Sequence, residues 1–174
     1  MNKNKGFTLI ELLVVISIIG ILAVIVLSSL SSAGEKGANA GIKSNGTSIR
    51  SQAGVYWVSK GQSYLGFCDP TNGDAINNAS LLQAKDTAKT TGGTIAGGII
   101  RDGSQPQTGN ATDGNAPLYC YSDVRNYVVS LPLRAVERMN GIDNNFWCVD
   151  SKGFVGGIKN GIVAGGKNCS QQLP

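Results

Sequence analysis

A chain of 174 residues is one ordinary domain with room for an extra segment. Its formal charge of +4 falls to +2 once Lys3 and Lys5 at the start are set aside (13 basic against 11 acidic residues), too little for a nucleic-acid footprint argued from charge. Histidine is absent, which removes the commonest general base and imidazole ligand, and an aromatic content of 6% implies a small core in need of covalent help.

The first element is a basic start, MNKNKG, followed by the apolar stretch FTLIELLVVISIIGILAVIVLSSLSSA from Phe7 to Ala33. As a helix its 27 residues reach ~40 Å, whereas a bilayer core needs ~20 residues. It is long for the apolar part of a secretory signal peptide and sufficient for a membrane span, with Lys3 and Lys5 placing the start on the cytoplasmic side. A plain anchor leaves Glu11 unexplained. Leu12 to Gly34 carry no charge, and a carboxylate at such depth costs ~2.5–3.5 kcal/mol on insertion scales, so it needs a partner.

Gly6-Phe7-Thr8-Leu9-Ile10-Glu11, continued through Leu12–Ile16 and Ile18–Ala23, resembles the cleavage and methylation signature of type IV prepilins and the related pseudopilins. The resemblance covers roughly the first thirty residues. It implies that Gly6 ends a leader cut on the cytoplasmic side by a membrane aspartyl (prepilin) peptidase. Phe7 then becomes an N-methylated N-terminus, and Glu11 attracts the Phe7 amine of a neighbouring subunit. The physics is compatible with that role: each charge alone costs several kcal/mol in a dry helix bundle, and pairing offsets much of it and fixes register. One departure stands out. Many relatives carry a proline beyond the first apolar half, where this chain reads Val26-Leu27-Ser28. Gly20 and the serines from Ser28 to Ser32 are the only local softeners, so a kink is not carried over.

Beyond Ala33, Ile42, Ile49, Ala53 and Tyr56 recur at helical intervals on one face, with Lys43, Arg50 and Lys60 elsewhere on the wheel. They predict an amphipathic continuation to about Ser59. Gly34, Gly37, Gly41, Gly46 and Gly54 each cost ~1 kcal/mol relative to Ala, so a break near Gly34–Gly41 competes with a continuous helix. Residues 61–117 read as an irregular connection in which only Ala79–Lys89 has helical character. Strands are predicted at Leu118–Ser122, at Asn126–Leu133 with Pro132 marking an end or edge, and at Asn145–Asp150. Ser151-Lys152-Gly153 is a turn into a short return strand at Phe154–Val155. Trp57 and Trp147 read as core or helix–sheet contacts.

Cys68, Cys120, Cys148 and Cys169 all follow the apolar segment, where an anchored chain faces an oxidising space. No CxxC pair and no histidine points to zinc, so two disulfides are expected, in one of three connectivities that spacing does not choose between. The resemblance implies a Cys148–Cys169 bond around the C-terminal loop. The companion bond would then be Cys68–Cys120, which brackets the long connection.

Other chemistry is thin. Asp69-Pro70-Thr71-Asn72-Gly73-Asp74 looks like a calcium loop but lacks the bidentate glutamate and reads as a turn. Pseudopilins often bind calcium near the C-terminus, and Asp143-Asn144-Asn145 or Asp150 are the residues here that offer oxygens for it. The expectation is no cofactor, with calcium the one candidate. No serine has a convincing base beside it, so no catalysis is expected. Lys152, Lys159 and Lys167 read as solvated surface, and contact with nucleic acid is left unassigned.

The fold class expected from all this is α+β and type IV pilin-like, a long N-terminal helix packed on a C-terminal antiparallel sheet. Its divisions are a leader (1–6), an apolar half-helix (7–33), an amphipathic half-helix (34–60), a connection (61–117), and the sheet with its disulfide-bounded loop (118–174). The function implied is a non-enzymatic filament subunit. It is held in the bacterial inner membrane and then bundled into a homo-oligomeric surface fibre, with a peptidase, an assembly ATPase and a platform protein as partners. A pseudopilin of a secretion or DNA-uptake system, and an anchored binding domain that never polymerises, are the alternatives.

Overall fold

The computed structural model describes residues 6–69, 99–100, 107, 116–139 and 141–172. The helical expectation at Ala79–Lys89 and most of the Asp69–Asp74 turn lie outside these residues. Contacts divide the chain into two units, Met1–Gly34 and Glu35–Pro174.

The first unit is the apolar part of helix α1, which runs Leu9–Ser59 without a break. The interruption that the glycines set in competition near Gly34–Gly41 does not occur. By length and composition α1 is able to cross a membrane. Three of its serines bond the helix's own carbonyls: Ser17 Oγ donates to Leu13 O at 2.8 Å, Ser28 Oγ to Ile25 O at 3.0 Å and Ser29 Oγ to Ile25 O at 3.1 Å. Back-bonding of this kind satisfies hydroxyls within the helix itself, as a passage through lipid would require.

In the second unit the described strands form one sheet in the order β1 (Ile99–Ile100), β2 (Leu118–Ser122), β3 (Tyr127–Met139), β4 (Ile142–Asp150) and β5 (Val155–Ile158). β2 to β5 pair antiparallel; β1, inside a stretch expected to be irregular, pairs parallel to β2 through Ile99↔Leu118. β2 has the expected bounds. β3 starts one residue later than expected and overruns its far end to Met139, β4 starts three residues earlier, and β5 starts one residue later and runs to Ile158.

Alternation along the strands builds two apolar layers. Leu118, Cys120, Val129, Leu131, Leu133 and Val149 meet Ile42, Ile49, Ala53 and Tyr56 of α1, so the helical stripe read from spacing is the face that packs. Tyr119, Val128, Phe146 and Cys148 point into the other layer with Ile158, Ile162 and Cys169. The sheet is thus covered on both sides, by helix on one and by the C-terminal segment on the other.

Where β3 outruns its expected end, its register to β4 shifts: Pro132 opposes Phe146 and Glu137 opposes Asn144. Four residues, Leu133–Val136, therefore face the single residue Asn145. A helix side chain fills the gap. Asn39, fully buried, accepts the Arg134 N–H at 2.7 Å through Oδ1 and donates Nδ2 to Ala135 O at 2.9 Å. One turn on, Lys43 pairs with Glu137 and lies 5.4 Å from the centre of the Trp147 ring. Gly46 follows, so close to that indole that a Cβ there would sit 2.7 Å from Trp147 Cδ1. Trp147 is therefore a helix–sheet contact, as its sequence setting implied.

Candidate processing and assembly site

Gly6, Phe7 and Thr8 precede α1 in non-helical, exposed backbone. A peptide bond in that state is open to a protease, and Phe7 is 80% exposed. After these three residues the chain turns into helix, and the turn is made by Thr8 and Glu11 together. Glu11 Oε2 accepts the Thr8 N–H at 2.9 Å and the Thr8 hydroxyl at 2.7 Å, while Thr8 Oγ1 accepts the Glu11 N–H at 3.3 Å. This is a capping box, which satisfies helix-start donors reciprocally and sets the carboxylate at the positive end of the helix dipole. The signal was present in the spacing Thr8-x-x-Glu11, although Thr8 drew no role from the sequence.

Phe7, Ile10, Glu11, Val14 and Val15 line a shallow open groove with a mostly apolar wall. From Leu9 to Leu30 the large apolar side chains are exposed throughout. The site therefore consists of an accessible junction, a carboxylate oriented by its cap, and a helix surface whose apolar side chains are uncovered among the described residues.

The four cysteines lie elsewhere, in the second unit. Cys68 is bonded to Cys120 with their Cα atoms 5.6 Å apart, and Cys148 to Cys169 at 5.9 Å. They occupy opposite layers of the sheet, the first pair on the helix side and the second beneath the C-terminal segment. Parity along the strands rules out one of the three connectivities: Cys120 opposes Val129 and Cys148 opposes Ser130, so their side chains leave opposite faces. A bond between those two would have to pass through the sheet.

The residues considered for calcium make the following contacts, those of the two asparagines through their amide nitrogens. Asn144 Nδ2 donates to Glu137 O and Ile142 O, Asn145 Nδ2 to Lys159 O, and Asp143 is 3.9 Å from Arg138. Asp150 accepts three backbone N–H groups. Among the described residues no three His, Cys, Asp or Glu side chains gather as a metal set. Lys152 and Lys159 are exposed, whereas Lys167 bonds Asp123 Oδ2 at 3.1 Å and lies over the Tyr121 ring. That contact with Asp123 is the main reason the Lys167 ammonium is pushed above its ordinary range.

One buried anchor left no mark in the sequence. Gln107 Nε2 donates to Pro117 O at 2.8 Å and Ser130 O at 3.2 Å, its Oε1 accepts the Ile162 N–H at 3.3 Å, and its own N–H bonds Ile162 O at 2.7 Å. It fastens the long connection to the sheet and to the C-terminal segment at once.

Residues 1–27 match the family model described as the prokaryotic N-terminal methylation motif. No curated protein and no solved structure matches the chain.

Proposed function

Since the chain carries the type IV pilin and pseudopilin signature, we propose that it is a structural, non-enzymatic subunit of a type IV pilus-like extracellular filament. A prepilin peptidase cuts between Gly6 and Phe7, and Phe7 is N-methylated. The precursor waits in the bacterial inner membrane through its apolar helix. An assembly ATPase and a platform protein then move it into a helical homo-oligomer, since apolar helices have little drive to leave lipid for one another unaided.

The observation that carries this reading is a single oriented carboxylate in the first turn of an uncovered apolar helix, inside the matched motif. In the assembled fibre Glu11 would take the Phe7 ammonium of a neighbour. Thr8 uses only Oε2, so the carboxylate can keep its cap while Oε1 receives the ammonium.

The test is sheared-fibre yield against total subunit in cells whose only copy is wild type, Glu11→Ala, Glu11→Gln or Glu11→Asp, with intact mass of the subunit N-terminus. Glu11→Ala should remain cleavable and folded yet lose fibres, because breaking a buried pair costs ~3–5 kcal/mol. Glu11→Asp should be intermediate. Wild-type fibre yield from Glu11→Ala, or a fibre subunit that retains Met1–Gly6, would overturn the reading.

A further inference from the structure

Asp150 is a buried carboxylate, 3% exposed, at the end of β4 and two residues after Cys148. Its two oxygens serve different parts of the chain. Oδ1 accepts the N–H groups of Lys152 and Phe154, each at 3.0 Å, while the Asp150 backbone N–H bonds Phe154 O at 3.1 Å. These contacts all lie within four residues, so the β4–β5 turn can form locally and set the carboxylate early. Oδ2 accepts the Cys169 N–H at 2.9 Å across nineteen residues, in a buried bond.

We propose that Asp150 is the positioning residue that presents Cys169 to Cys148 and so selects this disulfide during oxidative folding. Loop length does not select it. Cys148 is 21 residues from Cys169 and 28 from Cys120, and closure statistics favour the shorter loop by a factor of only about 1.5. The intervening segment carries Gly153, Gly156, Gly157, Gly161, Gly165 and Gly166, which widens the conformations it samples before it is fixed. A charge-assisted bond to the Cys169 backbone supplies the discrimination that spacing lacks.

The chemistry is ordinary thiol–disulfide exchange with a small disulfide, such as oxidised glutathione, as oxidant. The thiolate of one cysteine attacks the small disulfide, forming a mixed disulfide and expelling one glutathione thiolate. The thiolate of the other attacks the protein sulfur of that mixed disulfide, forms the Sγ–Sγ bond and expels the second. Two protein thiols are oxidised, one glutathione disulfide is reduced to two thiols, and the two cysteine protons pass through solvent to the expelled glutathione thiolates. Asp150 exchanges nothing; it acts on the second step by holding the two Cα atoms near their final 5.9 Å.

The experiment uses the full chain in detergent, reduced and denatured, then refolded in a glutathione redox buffer, trapped by alkylation and mapped by peptide mass. Asp150→Asn keeps an oxygen for the turn but turns an amide donor toward the Cys169 N–H. Cys148–Cys169 should then form about tenfold more slowly while Cys68–Cys120 forms at the wild-type rate. An unchanged Cys148–Cys169 rate, or equal slowing of both bonds, would overturn the proposal. A second measurement needs no variant. In the wild-type chain reduced but not denatured, the Cys169 amide should exchange with deuterium at least about tenfold more slowly than in urea. Exchange at the urea rate would mean that the contact with Asp150 follows the bond rather than preceding it, and the proposal falls.

Discussion

Asp123 joins the β2–β3 turn to the C-terminal loop through one carboxylate. Oδ1 accepts the N–H groups of Arg125 at 2.8 Å and Asn126 at 2.7 Å, while Oδ2 faces the Lys167 ammonium at 3.1 Å. Partial burial pushes this carboxyl up, but the Arg125 N–H, the Lys167 ammonium and Asn126 together outweigh it and hold it at about 2. Its ordinary value is 3.8, so the folded state is the one that binds the proton less readily. The contribution to stability is then complete above about pH 4 and is lost as the pH falls through about 2. With the side chain 25% exposed, solvent screening reduces it to about 1 kcal/mol. Denaturant unfolding of wild type and Asp123→Asn should show this difference near neutral pH and convergence near pH 2. Parallel curves at every pH would remove the carboxylate from the account. At this same scale Gln107 shows what a sequence hides. A lone glutamine in a Gly/Thr/Asn-rich stretch looks solvated, and only its four hydrogen bonds to three residues, up to 55 positions away, make it a fastening.

Among the elements, α1 and the strand centres were legible because their information is local: an apolar run, a spaced stripe on a helix, alternation in strands. The Gly6–Glu11 motif was legible for the same reason. The far half of β3 was not. Pro132 reads as a stop, since a proline cannot donate to a ladder, yet β3 continues to Met139. The continuation is possible because pairing with β2 ends at Ser130, leaving that side free at Pro132, and because Asn39 serves the backbone of the bulge beyond it. Nothing in the local sequence around Arg134 announces a partner from a helix 95 residues earlier. Asn39→Ala should therefore remove the side-chain partner of a half-buried N–H and a half-buried carbonyl and destabilise the globular unit by about 1–3 kcal/mol. The loss is readable as a shift in the denaturant midpoint with an unchanged slope. A loss below about 0.5 kcal/mol would show that water takes over both groups.

Taken as a whole, the globular unit has three layers, and each outer layer is tied to the middle one by its own disulfide. The two bonds close loops of different length, with sequence separations of 52 and 21. In the chain-entropy model removing either costs ~3–4 kcal/mol, the longer loop slightly more. Because the sheet separates them and they share no partner, the losses should add. Replacing Cys68 and Cys120 by Ala, Cys148 and Cys169 by Ala, and all four together, should give denaturant stabilities that sum within ~0.5 kcal/mol. A larger deficit in the quadruple variant would reveal coupling through the β3 backbone that the geometry does not require.

The Asn39 contact also defines a route for mechanical load. Following α1 from its exposed half, Ala38 and Asn39 are the first buried residues, and Asn39 is the first side chain to hold backbone of another element. Tension drawn along the helix therefore enters the globular unit at Arg134–Ala135 of β3, reinforced one turn later by Lys43 on Glu137. From there it spreads through the β3–β4 ladder to Cys148, where a covalent bond takes it up. Hydrogen bonds and an ion pair loaded together yield only at a force that strains several of them at once. The bulge that interrupts the sheet is thus also the point at which the globular unit grips the helix under strain.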